Sequence, residues 1–195
     1  MRRANAAIAA LLAVGVAAGL MGLPAKSREA IQDRNQRNGA EFKGQVVYVD
    51  DGDSVVVLTE GKVQLKVRLA SIDAPEVSHT SHEAGRIGQP YADGAKRYLA
   101  HLVKGKTVDL KCPETDRYGR SVCDLFVSGQ SVDREMVRQG WAWANEAARG
   151  RYMRDPQIPV LEAEARHERR GLWAAEHPVA PWEWRKTCWE QHVCR

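Results

Sequence analysis

Val67-Arg68-Leu69-Ala70-Ser71-Ile72-Asp73-Ala74-Pro75-Glu76 begins as a strand and leaves it carrying charge. Val67, Leu69 and Ile72 are apolar, and Pro75 stiffens the exit. Arg68, Asp73 and Glu76 fall within one short span, and a cation with two carboxylates at a strand end points to a site rather than a core. Just upstream, Val63, Leu65, Val67 and Leu69 alternate with polar neighbours, the period of a strand with one buried face. Glu60-Gly61-Lys62 turns the chain into that strand. Ser54–Leu58 is a β-branched strand before it, and Gly44–Val49 is the first. Asp50-Asp51-Gly52-Asp53 between those two has the chemistry of a hairpin turn. The stretch therefore closes a three-stranded meander.

Downstream, Val77–Gly88 lacks periodicity and reads as a loop whose His79 and His82 are solvated rather than metal ligands. Pro90–Lys104 places Tyr91, Ala95, Tyr98, Leu99, Leu102 and Val103 at helical spacing, with Gly105 as the stop. Thr107–Cys112 and Ser121–Val127 are strands around a polar turn. Ser131 caps a helix over Val132–Gln139, with Asp133 and Glu135 in its first turn and Gly140 at its end. Asp155-Pro156 starts a third helix that runs to about Arg170. Three strands, a helix, two strands and two helices predict an α+β fold: an OB-type five-stranded β-barrel with about three helices.

The 195 residues and 44% hydrophobic content suit one domain with extensions. A net charge of +4 is only weakly basic, and Arg2 and Arg3 supply part of it. A nucleic-acid partner must therefore be argued from local clusters, not from net charge. Met1-Arg2-Arg3, the apolar run from Ala6 to about Leu23 and Pro24-Ala25 describe a signal peptide over residues 1–25. An uncleaved inner-membrane anchor is the alternative, and the membrane is a partner only in that case. Residues 26–42 read as a polar linker, 43–173 as the domain, and 174–195 as a tail packing on it. The expected location is outside the cytoplasm, periplasmic or secreted. The four cysteines then read as disulfides, with the local pairs Cys112–Cys123 and Cys188–Cys194 needing the least rearrangement. Cys188, His192 and Cys194 fit no common zinc spacing. Nothing implies a stable protein partner, and a monomer is expected.

Asp53 and Asp73 both belong at the rim of this barrel. Two close carboxylates repel unless positive charge lies between them. A hard divalent cation resolves that, with a backbone carbonyl near Asp73 as a third ligand, and an all-oxygen set favours calcium or magnesium over zinc. Arg68 and Arg120 suit phosphoryl oxygens, because a planar guanidinium meets two of them at once. Glu76, fixed behind Pro75, can orient or deprotonate a water. Together these residues equip a phosphodiesterase.

Val49-Asp50-Asp51-Gly52-Asp53-Ser54-Val55, the stretch Val67–Glu76, and Thr115-Asp116-Arg117-Tyr118-Gly119-Arg120 together resemble the thermonuclease, or staphylococcal-nuclease-like, family. Val137-Arg138-Gln139-Gly140-Trp141-Ala142 resembles the end of a family helix. The resemblance spans about Gly44 to Trp173. It implies a calcium-dependent endonuclease that hydrolyses DNA or RNA to 3′-phosphate ends, with magnesium the less favoured ion. It implies metal ligation by Asp53, Asp73 and the Ala74 carbonyl, catalytic roles for Arg68, Glu76 and Arg120, and a grip on a terminal phosphate by Arg117 and Tyr118. Alanine replaces the family's usual threonine at position 74, which leaves the carbonyl and loses the hydroxyl. The family's base-stacking tyrosines find Asn145, Glu146, Ala147 and Ala148 instead, leaving Trp143 and Tyr152 as candidates for that role. The competing reading is a nucleic-acid-binding module of the same fold without strong catalysis. The complete set of Asp53, Arg68, Asp73, Glu76 and Arg120 favours the enzyme. A structural domain of the cell envelope does not explain that set.

Overall fold

β1 (Ala40–Val49), β2 (Ser54–Thr59) and β3 (Gln64–Leu69) form the meander, with β-branched residues filling β2. The computed structural model describes residues 40–78, 86–146, 150 and 152–194. The segment 1–25, the linker up to residue 39, and His79 and His82 lie outside the described residues. β1 pairs antiparallel with β2, Val49 opposite Val55, and β2 pairs antiparallel with β3, Ser54 opposite Arg68. A two-residue β4 (Ile72–Asp73) follows a kink at Ser71, whose φ is 60°.

Helix α1 (Ala92–Val103) buries Ala92, Ala95, Leu99 and Val103 along one face. β5 (Thr107–Thr115) and β6 (Ser121–Val127) form an antiparallel hairpin. β6 then runs parallel to β3, Val67 opposite Ser121 and Leu69 opposite Cys123. That pairing closes the order β3-β2-β1-β5-β6 into a five-stranded mixed barrel, which β7 (Gln130–Ser131) extends by one short rung. A parallel pair needs a long crossover, and α1 lies within it. Val46, Val57, Val67, Leu110 and Leu125 fill the barrel's core together with Leu99 of α1.

Ser131 caps α2 (Val132–Arg138) by accepting from the Arg134 N–H at 3.2 Å. Gly140 ends it with φ 70°, and a Cβ there would stand 2.2 Å from the Arg170 carbonyl oxygen, so only glycine fits. β8 (Trp143–Ala144) pairs with β4, and α3 (Gln157–His167) packs on α2. A turn of 3-10 helix, Gly171–Ala174, leads into the tail, where α4 (Pro181–Trp184) continues as a π-helical turn over Arg185–Glu190. Both expected disulfides are formed, Cys112–Cys123 between β5 and β6 and Cys188–Cys194 in the tail.

Several boundaries differ from the sequence reading, and β5 runs on to Thr115, three residues past the expected end at Cys112. β1 begins at Ala40, so Ala40–Phe42 are strand rather than linker, and Phe42 packs against the core. Val63 is 59% exposed and precedes β3, because the turn consumes it. α1 starts only at Ala92, since Tyr91 has φ 71°. α3 stops at His167 rather than near Arg170, because Arg169 turns to φ 55°.

Asp133 in the first turn of α2 is 2% exposed. Its Oδ2 accepts from the Leu125 N–H at 3.0 Å, while Oδ1 is buried without a partner. Burial pushes this carboxyl well above the usual aspartate range, and the Leu125 N–H offsets only part of that. A carboxyl raised on folding keeps its proton where the unfolded chain has lost it. Stability therefore falls as pH rises from the unfolded value, about 3.9, through the raised one. Asp133→Asn removes this loss. In urea unfolding, the variant should gain ~1–2 kcal/mol relative to wild type between pH 4 and pH 8. A difference that stays constant with pH would show that the buried charge costs nothing.

Candidate active site

The β1–β2 turn delivers Asp53 into the molecule instead of leaving it in solvent. A Cβ on Gly52 would lie 2.6 Å from the Cβ of Ala74 and 2.8 Å from that of Ala95, so the missing side chain lets the turn press against the exit of β3 and α1. The Asp53 N–H donates to Asp51 Oδ1 at 2.9 Å, and the Asp53 carbonyl accepts from the Leu69 N–H at 2.8 Å. Asp53 is 5% exposed and Asp73 2% exposed. Asp73 is held in β4 opposite Trp143. The Ser71 kink before it is pinned on both sides: Ser71 Oγ accepts from the Arg154 N–H at 2.9 Å, and its carbonyl from the Asn145 N–H at 2.8 Å.

Arg68 lies on the face of β3 opposite Val67 and Leu69, and it joins the two aspartates. Its Nη1 is 2.9 Å from Asp53 Oδ2, and its Nη2 donates to Asp73 Oδ1 at 2.8 Å. The Ala74 N–H donates to Asp53 Oδ2 at 2.7 Å, and Ser54 Oγ–H to Asp53 Oδ1 at 3.1 Å. Burial pushes the Asp53 carboxyl well up, while the Arg68 charge works against it. Burial pulls the Arg68 guanidinium down, but Asp53 and Asp73 outweigh it and hold the cation firmly.

Asp53, Arg68, Asp73 and Ala74 are thus in direct contact. Arg120 stands one residue further out. Its Nε donates to Asp116 Oδ2 at 2.8 Å and its Nη1 to Ser54 Oγ at 3.3 Å, and Ser54 in turn holds Asp53. The parallel β3–β6 pairing explains the approach, since Arg120 directly precedes Ser121, the partner of Val67. Tyr118 is 69% exposed between two guanidiniums, with Arg117 4.8 Å and Arg120 5.7 Å from its ring centre. Arg117 also donates to the Tyr118 hydroxyl at 2.6 Å.

Glu76 reaches the cluster through a residue that the sequence reading missed. Arg185, in the tail, forms an ion pair with Glu76 Oε1 through Nη1 and with Asp73 Oδ2 through Nη2 at 2.8 Å. Burial pushes the Glu76 carboxyl up, and Arg185 draws it back part of the way. Burial opposes charge on Arg185 too, yet Asp73 and Glu76 raise its hold on the proton. Only a weak signal marked Arg185 in the sequence, one of two adjacent cations, Arg185 and Lys186, between tryptophans and near a cysteine pair.

Trp143 is 7% exposed and packs edge-on against Trp173 at 4.3 Å, which makes it core rather than a base platform. The disulfide between Cys188 and Cys194 removes any zinc set in the tail. Among the described residues no three His, Cys, Asp or Glu side chains form a metal cage. The candidate metal position instead combines two carboxylates, Asp53 and Asp73, with the backbone of Ala74. These residues fit a hard cation in donor chemistry, because the pair is buried and all-oxygen, and the one guanidinium of Arg68 offsets only one of its two charges.

Residues 66–175 match the family model described as staphylococcal nuclease homologue. The chain is similar to a protein of Escherichia coli named "Uncharacterized endonuclease", at 40% identity over 147 residues, 75% of this chain and 86% of that one. A Haemophilus influenzae protein with the same name is 37% identical over 142 residues, 73% of this chain and 72% of its own. A "Micrococcal nuclease" of Shigella flexneri is 35% identical over 160 residues, covering 76% of this chain and 83% of its own.

Proposed function

The chain belongs to the staphylococcal nuclease homologue family and is a nuclease that hydrolyses nucleic acid, and from that premise we propose a calcium-dependent endonuclease of DNA or RNA that leaves 3′-phosphate ends. The observation that carries this reading is the buried pair of carboxylates, Asp53 and Asp73, cross-linked by one guanidinium beside the exit of β3. Asp53, Asp73 and the Ala74 carbonyl would hold calcium, which when bound supplies charge stabilisation to the phosphoryl oxygens.

The chain's own residues supply the rest. Arg68, beside Asp53 and Asp73, and Arg120, at the β5–β6 turn, would meet the phosphoryl group. Their forks stabilise charge that builds on the non-bridging oxygens. Glu76 orients a water and accepts its proton. The water oxygen bonds to phosphorus as its proton passes to Glu76, the bond from phosphorus to the 5′ oxygen breaks, and that oxygen leaves as a 5′-hydroxyl by taking a proton from solvent. The phosphate stays on one fragment as its 3′ end, and Arg117 and Tyr118 would grip the terminal phosphate of a bound nucleotide. We also propose export from the cytoplasm. The basic start, the apolar run from Ala6 to Leu23 and the two disulfides support it, since such bonds persist in oxidising compartments.

Single-stranded DNA and RNA incubated with the purified protein should be cut in calcium and left intact in excess chelator, with activity returning when calcium is restored. The products should accept end extension only after phosphatase treatment. Cleavage that persists in chelator removes the metal from the mechanism, and free 3′-hydroxyl ends overturn the assigned bond.

A further inference from the structure

Arg185 lies beyond residue 175, where the family match ends, yet it contacts two of the carboxylates around which the site is built. Asp73 has both of its oxygens engaged by guanidiniums. Oδ1 accepts from Arg68 at 2.8 Å and from Arg185 Nη1 at 3.3 Å, and Oδ2 accepts from Arg185 Nη2 at 2.8 Å. The same Arg185 fork holds Glu76. A cation that binds Asp73 must take an oxygen now serving Arg185.

The tail that presents Arg185 is built into the domain. Trp184 is 5% exposed, and its Nε1–H donates to the Ile87 carbonyl at 3.1 Å, as does that of Trp189 at 2.9 Å. Cys188 is 1% exposed and bridged to Cys194. Gln89 ties this tail to the catalytic turn: its Nε2 donates to the Val179 carbonyl at 2.5 Å, and its Oε1 accepts from the Glu76 N–H at 3.3 Å. One set of contacts therefore fixes both Glu76 and the backbone that carries Arg185. The Arg185 side chain is 35% exposed, against 13% for Arg68, so it can swing toward solvent while the tail stays docked.

We propose that Arg185 is a further positioning residue of the active site: it holds Asp73 and Glu76 when no metal is bound and competes with the metal for Asp73. This rests on the reading of Asp53 and Asp73 as calcium ligands. The arrangement has a physical reason. Three buried or half-buried carboxylates within one contact network repel one another, and the single Arg68 does not neutralise them. A tethered cation keeps them assembled, at the cost of metal affinity. Once displaced from Asp73, the fork still faces Glu76.

Calcium affinity, measured by calorimetry on the full folded protein with both disulfides intact, tests this without reference to turnover. Arg185→Met keeps the apolar stem and deletes the charge, and it should bind calcium at least ~10-fold more tightly than wild type. Arg185→Lys, whose point charge cannot span Asp73 and Glu76 together, should fall between them. Saturating calcium should also raise the melting temperature of Arg185→Met by more than that of wild type. If Arg185→Met does not fold, Arg185→Lys carries the comparison alone. Calcium binding by wild type with equal or weaker affinity in the folded variants overturns the competition and leaves the calcium reading standing. No calcium binding by any of the proteins overturns both.

Discussion

Arg68→Lys should reduce kcat/KM by at least ~10²–10³-fold, the range seen when one donor to developing charge is removed. Lysine keeps the charge, so a loss of that size identifies geometry as the cause. In the structure the two Nη atoms of Arg68 serve different carboxylates, Asp53 at 2.9 Å and Asp73 at 2.8 Å, and Nη1 also donates to the Leu69 carbonyl at 3.2 Å. An ammonium is a single point and cannot span these positions. Asp53 would then lie buried without its partner, and burial already pushes that carboxyl upward. Removing one member of a buried ion pair costs about 3–5 kcal/mol, and lysine should recover part of it. Thermal unfolding separates the two effects. A variant that melts near wild type yet turns over at least ~10²-fold more slowly assigns Arg68 to the reaction. Activity within a few-fold of wild type would reduce Arg68 to a structural clamp.

The reach of that clamp also shows where sequence reading works and where it stops. Val67, Leu69 and the β-branched run Ser54–Leu58 are local patterns, and their alternation yields the strands almost residue for residue. Asp53 directly precedes β2 and Arg68 lies in β3, so their approach follows once Ser54 is set opposite Arg68. Arg120 depends on the parallel pairing of β3 with β6, which no local pattern encodes, although the five-strand barrel requires it. Arg185 is the opposite case. It lies more than a hundred residues from Asp73 and in a tail without periodicity, and its approach follows from Trp184 and Trp189 both donating to Ile87. Such a contact arises from tertiary docking alone. The Asp51-Gly52-Asp53 turn misleads in another way. Its composition is that of an ordinary exposed hairpin, and only the fit of Gly52 against Ala74 and Ala95 shows that Asp53 is buried. Trp143 could pass for a base platform until Trp173 is seen against it.

Glu76→Gln should lower kcat by ~10²-fold or more with substrate binding nearly unchanged, the loss typical of a missing general base. The substitution is close to isosteric, so its effect separates proton acceptance from packing. The Glu76 backbone is held independently of its side chain, with its N–H on Gln89 Oε1 at 3.3 Å and its carbonyl accepting from the Gln89 N–H at 2.7 Å. A glutamine side chain should therefore occupy the same place. What it cannot do is accept a proton from water. It also gives Arg185 a neutral partner, which leaves that guanidinium with Asp73 alone. This second effect predicts a distinct signature, because Arg185 then bears more heavily on Asp73 and calcium binding should weaken slightly. The double variant Glu76→Gln with Arg185→Met should regain calcium affinity and stay slow. If removing Arg185 restored turnover along with affinity, the glutamate would be acting on the cation at Asp73 and not on the water. A kcat for Glu76→Gln near that of wild type would end its assignment as the base and leave water activation to another group.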